Sequence, residues 1–445
     1  MATRQHLSNL HQHLQRPVSI IPLLVLRSGF GLMMLVSTLR FVLNGWVEDF
    51  YITPQFHFTY LGFGWVKPLS GDWMYLPFLL MLTFSITIIL GWHYRLSMTG
   101  FFLAFTYVEL LDKTYYLNHY YFVSLFSFLL IFLPLHRQFS LDSKRQPALR
   151  TNTVPIWTIR LIQCQLAIVY IYAGIAKLNP DWLIDGLPLT LWLPAKVEFP
   201  IIGAWFDQHW VALLMSWAGA FFDLTIPLWL WCRRTRLPAY FGVIVFHLLT
   251  GWLFPIGMFP YIMIVVTLIF FDEIDYARLL RMRLPKPEIP TAISKIPSRL
   301  LLGLLTIFFA IQLLFPLRHW LYAGNVLWTE EGFRFSWRVM VVEKTGLTVF
   351  TVYDKKSGES WIVFPNQYLA PQQERQMSFQ PDMILQFAHF LEDEYQTHGH
   401  PDVAVTVEAY VSLNGRPSQH FIDPTTDLTQ FHNSLAPKHW ILPLN

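Results

Sequence analysis

The sequence predicts a polytopic α-helical membrane protein of about nine transmembrane helices, followed by an extramembrane α+β domain rich in antiparallel strands. Three observations carry this. The 445 residues are 54% hydrophobic and only 14% charged, with mean hydropathy +0.38, against about 25% charged in a soluble domain. Apolar runs approaching the ~20 residues a span requires recur as far as residue 317. Lysines and arginines also divide unevenly between alternate loops.

The runs lie near 18–40, 74–91, 96–111, 119–135, 157–176, 211–231, 238–254, 257–271 and 299–317. With the N-terminus cytoplasmic, the inner segments hold Arg4, Arg16, Arg95, Arg137, Lys144, Arg145, Arg150, Arg233, Arg234, Arg236, Arg278, Arg281, Arg283, Lys286, Lys295 and Arg299. The outer ones before the tail hold only Arg40, Lys67, Lys113, Lys177 and Lys196, the asymmetry expected of positive-inside insertion. An odd count of spans puts the tail on the outer face, periplasmic or extracellular in a bacterium and lumenal in a eukaryote. The polar N-terminus up to Pro17 carries no signal-peptide pattern, so the first span is expected to insert uncleaved.

Residues 1–317 are therefore expected to form the helical membrane domain and 318–445 the outer one. In the tail, Arg334 to Glu343, Leu347 to Asp354, Trp361 to Phe364 and Val403 to Leu413 read as strands, with turns at Lys355-Lys356-Ser357-Gly358 and Asn414-Gly415. Gln380 to Tyr395 reads as an amphipathic helix.

Some functions are excluded at this stage. A net charge of +3 with no basic stripe argues against nucleic acid. Cys164 and Cys232 lie in apolar runs and offer no disulfide framework. No HExxH, HxxxH or CxxC pair occurs in the membrane region, and His398 and His400 are two lone ligands in a loop, so no metal is expected. Walker, GxGxxG and GxSxG patterns are absent.

The informative stretch is Ile168 to Trp182, IVYIYAGIAKLNPDW. Lys177 ends an apolar helix just before Asn179-Pro180. It reads either as an interfacial anchor or as a buried base, because burial disfavours a charged amine and a neutral amine accepts protons. Ala173-Gly174 favours the second reading by permitting close helix approach. His119, at the start of an aromatic helix, reads as a structural or a catalytic group, and Asn118 as its cap or its partner. His247 and Asp223 are intramembrane ionisable residues. Each is a candidate functional group or a satisfied polar side chain.

Together these motifs resemble the vitamin K-dependent gamma-carboxylase family, whose membrane region is shared with the horizontally transferred transmembrane group. The matching segments are Asp72-Trp73-Met74-Tyr75-Leu76, Leu110-Leu111-Asp112-Lys113-Thr114, Asn118-His119-x-Tyr121, and Ala173-Gly174-x-x-Lys177-Leu178 with Asp181-Trp182. Then come Phe246-His247, Leu253-Phe254-x-Ile256-Gly257-Met258-Phe259, Trp328-Thr329, Ser336-Trp337 and Phe421-x-Asp423-Pro424, all in order from about residue 20 to about 440.

The resemblance implies oxidation of reduced vitamin K, a phylloquinone or menaquinone hydroquinone, by O2 to its epoxide. The strong base so formed removes a γ-proton from peptidyl glutamate, and the carbanion adds CO2. It implies Lys177 as the family's base, His119 as its second essential group and Asn118 beside it. The quinone site is expected from His247, Trp252, Phe254, Met258, Phe259 and Tyr121, opening to the outer leaflet and its lipid and quinone pool. Arg334, Trp337, Arg338 and Lys344 are expected to present a glutamate-containing peptide or protein, because a guanidinium can clamp a carboxylate. Glu330, Glu331 and Glu343 could instead pair with those cations.

The sequence also departs from the family. Ala176 stands where the animal enzymes have the first of two basic residues, their inter-segment disulfide cannot form as such, and Val341-Val342-Glu343-Lys344 differs from the animal pattern. The expectation is a shorter, bacterial-type member, without parts that hold a propeptide. The alternatives are a quinone epoxidase without peptide carboxylation and a non-catalytic quinone- or lipid-binding scaffold.

Overall fold

A computed structural model describes residues 12–280 and 299–444. The inner-loop cations Arg4, Arg281, Arg283, Lys286 and Lys295 lie outside the described residues. Nine apolar helices follow the predicted runs: α1 (Ile21–Leu43), α2 (Tyr75–Leu90), α3 (Tyr94–Leu111), α4 (Asn118–Ile131), α5 (Trp157–Ala176), α6 (His209–Trp231), α7 (Arg236–Leu253), α8 (Phe259–Thr267) and α9 (Arg299–Leu314). Only six segments among the described residues are long and apolar enough to cross a membrane: 21–43, 71–90, 157–176, 209–231, 236–253 and 299–321. Six of the nine expected runs thus qualify as candidate spans by length and composition, and the count of nine is not confirmed. The reason is physical: α4 and α8 are short, and α3 carries Tyr94, Arg95, Ser97, Thr106 and Glu109 along its length.

Antiparallel packing of α1, α2, α3 and α4 forms one side of the bundle, and α5, α6, α7 and α8 the other. At one end β1 (Pro17–Ser19) pairs with β2 (Thr153–Pro155), pinning the start of α1 to the start of α5. Arg27 of α1 donates to the Leu135 carbonyl at 2.9 Å and to that of Phe139 at 2.7 Å, anchoring a buried guanidinium at the same end.

At the opposite end the chain forms a four-stranded antiparallel sheet in the order β4-β3-β5-β6, from β3 (Lys344–Asp354), β4 (Ser360–Val363), β5 (Val403–Leu413) and β6 (Gln419–His420). Alternate residues of β5, from Val403 to Leu413, are buried, the period-2 pattern of a strand with one face packed. The helix α10 (Pro381–Thr397) covers that face with Ile384, Phe387, Ala388 and Leu391.

The expected strand over Arg334 to Glu343 is not formed. This segment is an irregular strap, with Phe335, Trp337 and Met340 at φ of 61°, 57° and 55°. Those left-handed conformations break the pleat, and they let Trp337 and Val341 both turn into the interior.

Polar clusters bolt the sheet region to the helices. Asp112 at the end of α3 accepts from Gln373 Nε2 at 2.8 Å and from the Thr114 amide at 2.9 Å. Asp181 takes both terminal nitrogens of Arg416 at 2.8 Å, and Asn414 Nδ2 at 2.7 Å. Hydrogen bonds from Arg416 hold the Asp181 carboxyl below the usual carboxylate range. Trp192 Nε1 donates to Glu343 at 2.6 Å.

Candidate active site

Helix α5 ends at Ala176, and Lys177 is its C-cap. Asn179 then caps the following turn by accepting from the Trp182 amide at 3.0 Å, so the chain changes direction where Asn-Pro was expected to stop the helix. Tyr170, Ala173 and Lys177, at i, i+3 and i+7, share one face of α5. That face meets α6 unusually closely: a Cβ on Gly174 would lie 2.7 Å from the Leu224 side chain and 2.9 Å from its amide nitrogen. Glycine is what permits this approach, and the approach brings Asp223 to Lys177.

The lysine Nζ donates to Asp223 Oδ2 at 2.8 Å and to the Ala173 carbonyl at 3.2 Å. Both side chains are only 7% exposed. The Trp182 ring lies 5.3 Å from Nζ and is itself fixed by its indole N–H donating to Ser216 O at 2.7 Å.

These groups line a cavity of about 430 Å³ between α5, α6, α7 and α8, within the size range of small-molecule sites. Its walls include Trp182, Phe222, Phe246, Phe254, Phe259 and Met263. Its other polar pair is Tyr170 Oη with His247 Nε2, 2.9 Å apart, and His247 Nδ1 is buried without a hydrogen-bond partner. The chamber is thus apolar, with an ionisable pair on one side and a ring nitrogen free to bond a ligand on the other.

His119, in the first turn of α4, lines an adjoining cavity of about 540 Å³ with Arg40, Tyr115 and Met258. Its imidazole packs 5.6 Å from Phe259 and has no hydrogen-bond partner among the described residues. The two chambers share Ile256, Phe259, Val339 and Met340 as wall residues, so the structure brings Lys177 and His119 to two faces of one partition. Asn118 does not cap its helix. Its Oδ1 accepts from Tyr116 Oη at 3.1 Å and its Nδ2 donates to the Arg338 carbonyl at 3.1 Å, tying the motif to the strap.

The remaining expected residues separate. Phe254, Phe259 and His247 line the Lys177 chamber, and Met258 lines the His119 chamber. Trp252 lies about 140° round α7 from His247, exposed and packed on Phe199 at 4.8 Å. Tyr121 faces a third cavity and accepts from Gln312 Nε2 at 3.0 Å.

Among the strap cations, Arg334 donates to both oxygens of Asp382, at 2.7 and 3.2 Å, and Lys113 donates to the same carboxylate at 2.6 Å. Burial opposes ionisation of Asp382, but the two cations outweigh it and hold the carboxyl well below its ordinary range. Lys344 donates to the Trp328 carbonyl at 2.7 Å and to Glu330 at 3.1 Å, and burial pulls its pKa down. Trp337 is buried against Tyr121, with ring centres 4.9 Å apart. Arg338 differs: its guanidinium has no ion-pair partner among the described residues, its Nε is buried without a hydrogen bond, and burial pulls its pKa to about 10. It lines a cavity of about 400 Å³ beside Ala176, Asn179, His319 and Ser336, at the C-terminal end of α5.

Sequence reasoning noted Asp223 but did not pair it with Lys177, and it missed Tyr170, Val339 and Met340. The heptad spacing from Tyr170 to Lys177 was the available signal for the first of these. Val339 and Met340 had none, because their placement depends on the left-handed residues of the strap.

No solved structure matches the chain. The HTTM domain model matches residues 15–274, and the model of the lumenal domain of vitamin K-dependent gamma-carboxylase matches residues 297–445. With the first covering more than half the chain and the second nearly all the rest, this membrane protein belongs to the vitamin K-dependent gamma-carboxylase family.

Proposed function

We propose that the protein is a gamma-glutamyl carboxylase that couples oxidation of a vitamin K hydroquinone to carboxylation of peptidyl glutamate. The observation that carries the reading is the Lys177–Asp223 pair facing an otherwise apolar chamber of quinone size. An amine nitrogen has room for three hydrogen-bonding partners. Two are taken by Asp223 and Ala173, which leaves one position for a substrate hydroxyl.

In this reading Lys177 receives the hydroquinone proton, and Asp223 stabilises the ammonium through a charge-assisted bond. His247 Nδ1 bonds the distal quinone oxygen, while Phe222, Phe246 and Phe259 hold the rings and exclude water. One atom of O2 enters the epoxide. The other forms the strongly basic oxygen on the oxidised ring, which takes the γ-proton of the glutamate and leaves as water with that proton and the second hydroquinone hydrogen. The carbanion forms a bond to CO2, and the first hydroquinone proton, held by Lys177, is released to solvent. His119, across the shared partition, is placed to bond an oxyanion of that second step. The 318–445 region, on the outer face with the N-terminus cytoplasmic, presents the peptide, and residues 1–317 hold the quinone site. Arg338 is the strap cation free to receive a substrate carboxylate.

A second reading, quinone epoxidation without carboxylation, is favoured by one observation. Arg334 and Lys344, two of the three cations among the expected glutamate receptors, are already occupied within the chain. Incubation with reduced vitamin K, O2 and labelled bicarbonate, with and without a glutamate peptide, separates the two. Epoxide with label fixed in the peptide supports the first and epoxide alone the second. Neither product would leave a non-catalytic scaffold.

A further inference from the structure

A third cavity, of about 720 Å³, contains neither Lys177 nor His119. It lies between α3, α4 and α9 and runs up under the strap. All three helices grade the same way along it. On α3 the lining passes from Phe102 to Glu109, on α4 from Phe128 to Tyr121, and on α9 and its extension from Phe308 to Arg318. Seven residues of helix are about 10 Å, so an apolar end toward the middle of the bundle gives way to a polar end beneath the sheet.

The polar end is incomplete in two respects. Glu109 enters no ion pair among the described residues, and its Oε1 is buried without a hydrogen bond. Tyr60, 7% exposed, has its buried Oη equally unsatisfied in the same cavity. Across from them Arg318 has no carboxylate partner among the described residues. It donates to the Phe315 carbonyl at 2.9 Å, the Ser336 hydroxyl at 3.0 Å and the Arg334 carbonyl, and stacks 3.9 Å from the Phe315 ring. A buried carboxyl lacking a donor and a guanidinium lacking an anion, above an apolar slot, are complementary to a zwitterionic amphiphile. Unpaired groups of this kind are costly unless something satisfies them.

We propose that this cavity is a binding site for one aminophospholipid of the phosphatidylethanolamine type. Its ammonium donates to Glu109 and Tyr60, its phosphate faces Arg318, and an acyl chain lies between Phe102, Leu125, Phe128, Phe308 and Ile311. The site is separate from the quinone chamber and does not rest on the carboxylase reading. A trimethylated choline head offers no N–H donor, so the site selects against it.

The test uses the full-length protein in nanodiscs of equal phosphatidylethanolamine and phosphatidylcholine with matched acyl chains. The protein is then extracted into detergent, and retained lipid is quantified by mass spectrometry. About one ethanolamine lipid should stay per chain, enriched about tenfold over choline relative to the bilayer, the scale of a charge-assisted hydrogen bond. Glu109→Gln should bring the ratio close to that of the bilayer. Phe128→Trp, which fills the apolar end, should reduce total retained lipid whatever its head. If the variants fold poorly, wild-type protein with the mono-, di- and trimethylated heads suffices, since retention should fall as N–H donors are removed. Equal retention of both lipids by wild type, a ratio unchanged by Glu109→Gln, or a retained molecule without an amine would each overturn the site.

Discussion

At the junction beneath the sheet, Asp382 is shared by two cations, taking bonds from Lys113 and from both terminal nitrogens of Arg334, and all three residues line the 720 Å³ cavity among other charged groups. In the chamber, Lys177 has Asp223 and one backbone carbonyl, and beyond them a cavity. Both regions bury lysines against aspartates at comparable distances. What separates them is the number of cations on the carboxylate and the character of the lining: Asp382 is balanced against two cations among other charged groups, Asp223 against one lysine in an otherwise apolar chamber. A buried ion pair is therefore weak evidence of chemistry by itself, and a single pair isolated in an apolar, ligand-sized space is stronger.

The sharpest way to break this contrast is at Lys177. Lys177→Ala should reduce epoxide formation by about 10²–10⁴-fold, the range for loss of a general base, while the protein still folds. Lys177→Arg should fail similarly, because a guanidinium stays protonated. Epoxide yield close to wild type from either variant would make Lys177 a helix-end anchor, no different in kind from Lys113.

His119→Ala tests the other side of the partition. A drop of about 10²-fold in product is expected, the scale of losing one oxyanion donor, with Asn118→Ala milder because its bonds go to Tyr116 and the strap. An unchanged rate would confine chemistry to the Lys177 chamber.

Arginine substitutions sharpen the comparison within the strap. Arg338→Ala should raise KM for the peptide about tenfold, as expected for a lost charge-assisted bond, and leave peptide-independent epoxidation and thermal stability near wild type. Arg334→Ala should do the reverse, lowering stability by about 1.5–3 kcal/mol through loss of its charge-assisted bonds to Asp382, which then keeps only Lys113. If both variants lowered stability and both activities together, Arg338 would be structural as well.

The smallest effect is a pH dependence. The Asp382 carboxyl is depressed in the folded protein, so as pH falls below about 4 the unfolded chain takes up a proton first. Stability contributed by the Lys113–Asp382–Arg334 cluster is present above that pH and is lost as pH falls through the folded value. Thermal unfolding in detergent between pH 7 and 3 should therefore show a steeper acid decline for wild type than for Asp382→Asn. Parallel curves would remove the cluster from the acid response.

Much of the architecture was legible because it is periodic. Apolar runs located α1 to α9, and alternation located β5 from Val403 to Leu413. The position of Lys177 at a helix end was legible from Asn179-Pro180. The number of crossings was not, because a run such as that of α3 is apolar on average yet carries polar residues along its length. Nor was the site's second half legible: Asp223 stands far from Lys177 in sequence, and the contact depends on the absence of a side chain at Gly174. The strap escaped prediction because Phe335, Trp337 and Met340 adopt conformations that side-chain type does not announce.

Val339 and Met340 stand in the walls of both chambers, and the neighbouring Arg338 carbonyl accepts from Asn118. The strap is thus a shared mechanical part, and thermodynamic linkage constrains its behaviour. If a peptide seated on the strap tightens quinone binding by some factor, bound quinone must tighten peptide binding by the same factor. In the proposed reading, coordination between quinone and peptide needs no relay through the bundle. It is a property of a few residues that each occupant must move or leave in place.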